Sequence, residues 1–334
     1  MRRAKIGPMN GRRGFVAGVG AGLVGVPLFG RGQTRGKVYR IGILETVPPE
    51  RNVANLAALR EGLRELGYVE GKNLIIEYRS ADGRAERFPV LAAELTRLKV
   101  DVLVARGTPA ALAAKGATTA IPVLMATMGA PEGTVATLGR PGGNVTGVTT
   151  FSTELIGKRI ELLRELVPGL ARVGLLHNMG NPVAAREWDE TKKAALALGV
   201  AAELLDVRSE DDIVRAFERV RSQRLDGLLI GADGLTQMHQ QRIVDLVARS
   251  RVPASYPSRE FVEIGGLIAY AVRYPELYRR FASFIDKILK GAKPAELPFE
   301  QPTKFELVIN LNTARALAVV VPRSILVRAD AVIE

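Results

Sequence analysis

Asp101-Val102-Leu103-Val104-Ala105 is a short apolar run that leads into the turn Gly107-Thr108-Pro109-Ala110, and Ile121-Pro122-Val123-Leu124-Met125 closes the unit. Four apolar residues, Val102 to Ala105, ahead of a turn signal read as a buried strand. Proline fits the start of a helix, so Pro109 to Ala117 reads as a helix between two strands. A strand, a helix and a second strand of this size form a parallel crossover unit.

The same alternation extends upstream. Val38 to Leu44 reads as a strand ending at Pro48-Pro49. Leu56, Leu59, Leu63 and Leu66 recur at helical spacing and stop at Gly67. Leu74 to Tyr78 is the next strand, and Leu91, Leu95 and Leu98 mark a helix. Downstream, Pro141-Gly142-Gly143-Asn144 interrupts the rhythm, and Val145 to Thr149 follows. The pattern then restarts. Ile156, Ile160, Leu163 and Leu166 form a helical stripe. Strands are expected at Val173–Leu176, Val200–Val207, Leu225–Ile230 and Gly266–Val272, with helices over 183–198, 211–221, 237–249 and 275–290.

Two successive series of this kind predict an α/β protein with two doubly wound parallel-sheet lobes. A second break at Pro294–Pro302 predicts a hinge of several segments. We expect the N-terminal lobe to hold residues 37–148 and about 275–302, and the C-terminal lobe 149–274 and about 303–334. Ligands of such sheets sit beyond the carboxyl ends of the strands.

Composition narrows the chemistry. The chain has 334 residues, no Cys, two His and one Trp, which removes thiol catalysis, disulfides and cysteine metal sites. Its formal charge is +12. Residues 1–32 carry Arg2, Arg3, Lys5, Arg12, Arg13 and Arg31 and no acid, ahead of and around an apolar run from Phe15 to Phe29. This reads as an export signal with a twin-arginine-like pair, Arg12-Arg13. Without it, 41 basic residues face 35 acids. Half of the net charge therefore belongs to targeting, and no nucleic-acid partner is expected. Gly20-Ala21-Gly22-Leu23-Val24-Gly25 matches a dinucleotide-binding pattern only in letters, since Pro27, Gly30 and Gly32 follow where a helix would be needed.

No hydrolase elbow, zinc-helix motif, Walker loop or calcium loop occurs, and no cofactor is called for. His177 follows the strand Val173–Leu176 and reads more readily as a locally bonded loop residue than as a cleft residue. His239 reads as exposed. Asp211-Asp212 sits where capping and the helix dipole explain it. The strand ends are richer in binding groups. Gly107-Thr108-Pro109 can cap a helix and offer its free N–H groups to an anion. Glu45-Thr46 follows the first strand, Gly129 follows the fourth, Asn178 and Asp233 follow strands of the second series, and Tyr256 and Tyr270 flank Arg259-Glu260-Phe261.

Five stretches carry a resemblance: Leu63–Asn73, Gly107–Ala110, Arg140–Gly147 (RPGGNVTG), Tyr256–Phe261 (YPSREF) and Gln301–Asn310 (QPTKFELVIN). Together they resemble the ABC-transporter substrate-binding family that includes tryptophan- and tyrosine-binding members, over about residues 38–333. The resemblance implies a type I periplasmic-binding-protein fold that closes on a small amino-acid-like ligand, with no catalysis. It also implies a periplasmic location, a monomer, and a membrane permease with its ATPase as partner. It carries over Thr108, Asn178, Asp233 and Tyr256 as ligand-binding positions, and also Glu45, Thr46, Gly107, Gly129, Thr149 and Tyr270. Ala130-Pro131 stands where the family pattern has Asp-Pro. Three other classes share the architecture. An enzyme would need a nucleophile–base pair, a transcription-factor sensor core would need a DNA-binding segment at the N-terminus, and a ligand sensor would work without a transporter.

Overall fold

The computed structural model describes residues 37–129, 134–150 and 152–334. The export signal read on residues 1–32 and the Ala130-Pro131 pair lie outside the described residues.

The first sheet contains β1 (Tyr39–Glu45), β2 (Leu74–Ser80), β3 (Val102–Arg106), β4 (Val123–Met128) and β5 (Val145–Thr149) in the order β2-β1-β3-β4-β5, all parallel. Its crossovers are α1 (Val53–Glu65), α2 (Phe88–Arg97) and α3 (Thr108–Ala117). Side chains alternate between faces along a strand, so β3 serves two cores. Val102 and Val104 pack with α1, whereas Leu103 and Ala105 pack with α2 and α3.

The second sheet begins with β6 (Arg172–His177), β7 (Ala201–Asp206), β8 (Gly227–Ile230) and β9 (Ala254–Tyr256). It continues with β10 (Ile268–Val272), β11 (Phe305–Asn310) and β12 (Ala331–Ile333). The order is β12-β11-β10-β9-β8-β6-β7, and β11 runs antiparallel to β10. Helix α4 (Leu155–Leu166) leads from β5 into this sheet, and α5 (Ala184–Ala197), α6 (Glu210–Ser222), α7 (Gly234–Met238), α8 (Gln240–Ser250) and α9 (Arg259–Glu263) join its parallel strands. This is the two-lobed α/β class expected from the alternation.

The chain passes between the sheets after β5, after β10 and again before β11. Between the last two crossings it forms α10 (Tyr274–Leu289), which packs with α1 against the first sheet. A glycine allows the close approach: a Cβ at Gly62 of α1 would stand 2.9 Å from Ala282 Cβ of α10. Tyr68 Oη then donates to Asp286 Oδ1 of α10 at 3.0 Å. After β11 come α11 (Leu311–Ala316) and α12 (Arg323–Arg328).

Two local expectations need correction. The single helix expected over 237–249 is two helices, broken where His239 adopts φ −107° and ψ 25°. His177 is not a loop residue. It ends β6, is fully buried, and bonds Glu187 of α5.

Candidate ligand-binding cleft

A cavity of about 70 Å³ lies where the carboxyl ends of the two sheets face each other. Its first wall is built by β1, β3 and β4. Gly107, at φ 80°, turns the chain sharply from β3 into α3, which brings Thr108 and Pro109 to the wall. Gly107 is the helix cap and makes no side-chain cap bond; Thr108 is the first helical residue, not the cap expected from the sequence. The Thr108 hydroxyl instead accepts the Gly129 N–H at 3.3 Å. The first N–H groups of α3 lack intrahelical partners, and the helix dipole makes this end positive. Thr127 also lines the wall at φ +56°, beside a register shift in β4. A β-branched residue in that region is strained, and such strain clusters at functional sites.

Beneath this wall lies a buried ion pair. Arg106 Nη1 donates to Glu45 Oε1 and to Thr46 Oγ1, each at 3.0 Å. Glu45 is fully buried and also accepts from the Thr46 N–H, Asn52 Nδ2 and Tyr278 Oη. The Tyr274 ring lies 5.0 Å from the Arg106 guanidinium. Burial alone would make Arg106 a weaker base, but Glu45 outweighs it and holds the guanidinium firmly charged.

The second wall follows β6, β8 and β9. Asp233 caps α7: its Oδ1 accepts the Leu235 N–H at 2.8 Å, and its own N–H donates to Thr236 Oγ1 at 3.2 Å. Asn178 Nδ2 donates to Oδ1 at 3.1 Å and Asn181 Nδ2 to Oδ2 at 2.9 Å. Among the described residues Asp233 has no salt-bridge partner. Ser152, from the first crossing, donates to Glu187 Oε1 at 2.6 Å, and Glu187 Oε2 meets His177 Nε2 at 2.8 Å. Burial alone would push His177 down and Glu187 up. Their mutual attraction overrides this, so His177 is raised and Glu187 lowered.

The walls touch at the rim. Met238 of α7 meets the turn at Gly83, where a Cβ would come 2.8 Å from Met238 Cβ. The Met238 carbonyl accepts from Arg51 Nη1. A Cβ at Gly129 would stand 2.9 Å from Val183 Cγ2. The lobes are therefore closed on the cavity.

Residues 40–333 match the family model described as ABC transporter substrate binding protein. The chain belongs to this family. Among curated proteins, it is 24% identical over 284 residues to a tyrosine-binding protein of Clostridioides difficile (strain R20291), covering 84% of this chain and 81% of that protein. Among solved structures, a conserved domain protein from Vibrio cholerae superposes with a TM-score of 0.83 at 26% identity, covering 89% of this chain and all of that one (100%). An ABC domain from Streptococcus pneumoniae, solved in complex with L-Trp, superposes with a TM-score of 0.81 at 27% identity, with the same coverage of 89% and 100%. These neighbours share the type I periplasmic-binding-protein fold.

In this substrate-binding protein five of the positions singled out in the sequence line the cavity: Thr46, Gly107, Thr108, Gly129 and Asp233. Five do not. Glu45 lies behind the wall and anchors Arg106, and Asn178 stands behind Asp233 and orients it. Thr149 is buried at the first crossing, with its hydroxyl unpartnered among the described residues. Tyr256 is a core residue stacked 5.3 Å from Phe261, and its neighbours Pro257, Ser258 and Phe261 line the cavity in its place. Tyr270 faces a separate surface hollow with Phe305 and Glu306. Sequence reading passed over Arg106, Thr127, Ser152, Asn181 and Tyr274. Of these Arg106 alone left a signal, a charge directly after the apolar run that forms β3.

Proposed function

We propose that this chain is the ligand-capturing component of an ABC importer and takes a small zwitterion of the amino-acid class by closing two lobes around it. The observation that carries this reading is Asp233. Its carboxylate lines the cavity, is held by amide donors and has no salt bridge among the described residues. A buried-edge carboxylate so arranged is suited to an ammonium group. The N-terminus of α3 across the cleft suits the carboxylate of the same ligand. In this reading the chain divides into residues 37–148 with 275–302 and 149–274 with 303–334; what supports the division is the presence of two separate sheets and the packing of α10 on the first.

Binding, not turnover, fits the polar groups. Ser152, Glu187 and His177 lie in series with the carboxylate in the middle, so the imidazole is not bonded to the hydroxyl and cannot take its proton. Export to the periplasm through the Arg12-Arg13 signal, cleavage near Gly32 and docking as a monomer on a permease complete the proposal.

Thermal melts with amino acids, their amines and their amides test it. A ligand at 100 times its Kd stabilises a folded protein by about 2.7 kcal/mol, and capture by closure also reduces the radius of gyration in solution scattering. Stabilisation without compaction would count against closure.

A further inference from the structure

Arg106 ends β3, a strand buried along its whole length, and is itself only 4% exposed. A buried guanidinium is costly unless its charge and its donors are used. Here only one end of the fork is used. Nη1 serves Glu45 and Thr46, while Nε and Nη2 have no hydrogen-bond partner among the described residues, although the side chain forms part of the cavity wall. The unused edge is also fixed in direction. Glu45 cannot swing to cover it, because Oε1 accepts from Thr46 and Arg106 and Oε2 accepts from Asn52 and Tyr278. The Tyr274 ring covers a face of the guanidinium.

We infer that Arg106 is the specificity-determining residue of the cleft: the Nε–Nη2 edge of its guanidinium selects ligands that carry a carboxylate over neutral analogues with the same body. This rests on the reading of the cleft as a zwitterion site and names the group that the first lobe recognises. Two parallel N–H donors match the two oxygens of a carboxylate. Glu45 neutralises one charge, so the pair with the adjacent N-terminus of α3 suits a monoanion better than a dianionic phosphate. Among charged side chains lining the cavity, Arg106 comes from one wall and Asp233 from the other. A ligand with a carboxylate and an ammonium therefore lies across the cleft and ties the lobes together. Glu45 is a positioning residue, acting through Arg106.

Calorimetry on the full mature chain tests this with L-tryptophan, L-tyrosine, L-phenylalanine and L-leucine, each beside its carboxamide and its decarboxylated amine. In the wild type an acid is expected to bind roughly 10- to 100-fold more tightly than its carboxamide. In Arg106→Gln that preference is expected to fall to within about 3-fold, and Arg106→Lys, which keeps charge without the fork, retains only part of it. Because Arg106→Gln strands Glu45, the variant Glu45→Gln/Arg106→Gln, which removes both charges, repeats the measurement in a neutral site. Equal binding of acid and carboxamide by the wild type overturns the inference. So does a preference that persists in the double variant. If a carboxamide or amine closes the lobes while no acid binds, Arg106 is not the selector but ligand capture stands. If no compound of the panel binds or compacts the protein, both readings fall.

Discussion

Thr46 and Gly234 meet across the cleft: a Cβ at Gly234 would stand 3.2 Å from Thr46 Cβ and 3.3 Å from its Cγ2. Gly234 opens α7 without a left-handed backbone, so its lack of a side chain serves the contact and not the turn. Gly234→Val adds a branched side chain at this contact and should hold the lobes apart. The expected result is at least about 10-fold weaker ligand binding, or about 1.4 kcal/mol, with a larger radius of gyration in the presence of ligand. A liganded variant as compact as the wild type would show that the contact does not limit closure.

Asp233 has two roles, and two substitutions separate them. Asparagine caps helices about as well as aspartate, whereas alanine loses about 1 kcal/mol. Asp233→Asn keeps the cap but turns an amide donor towards Asn178 or Asn181, so it should lower the melting point of the unliganded protein less than Asp233→Ala does, while weakening zwitterion binding about 10- to 100-fold. Asp233→Ala should lower both. If Asp233→Asn binds as tightly as the wild type, the residue belongs to α7 alone.

The His177–Glu187 pair predicts a pH window. His177 is raised above 6.5 by Glu187, so its stabilisation is complete below 6.5 and is lost as the pH rises through its folded value. Glu187 is lowered from 4.5, so its stabilisation is present above 4.5 and is lost as the pH falls through its folded value. Thermal melts should therefore decline as the pH rises above 6.5 and through the raised folded value of His177, and Glu187→Gln should flatten that decline. Parallel profiles for the two proteins would remove the pair as the cause.

Glu45→Gln leaves Arg106 buried without its counter-charge. Breaking such a pair costs about 3–5 kcal/mol, read as a lower urea midpoint. Tyr278→Phe removes one donor to the same carboxylate and should cost about 1 kcal/mol. Adding Arg106→Gln to Glu45→Gln should recover part of the loss, since no unpaired charge remains. A double variant less stable than Glu45→Gln would contradict the pairing.

The alternation that decides the fold was legible because buried parallel strands such as Val102–Arg106 are nearly continuous apolar runs, and their helices carry spaced leucines. Short elements escaped. Ala254–Tyr256 is three residues between Pro253 and Pro257, too few to show a period. In the cleft, Thr46, Thr108 and Asp233 could be placed because each follows a strand in local sequence. Arg106 could not, because an arginine at a strand end ordinarily reads as solvated. Its meaning comes from Glu45, 61 residues earlier, which in turn depends on Tyr278, 233 residues further on. Tyr256 misled for the converse reason: its ring fills the core, and the polar stretch after it reaches the cavity.

The placement of α10 bears on how the molecule assembles. The core beside α1 is finished only by Tyr278, Phe281 and Ile285, and Tyr68 waits for Asp286, 218 residues later in the chain. A nascent chain that ends after β5 has the first sheet but lacks the helix that covers one of its faces. That face stays open until the second sheet has largely been synthesised, and closing so long a loop is a slow step. The two lobes thus cannot fold one after the other like beads. The first to be translated is among the last to be sealed, which leaves a long interval in which a chaperone can engage the uncovered apolar strands.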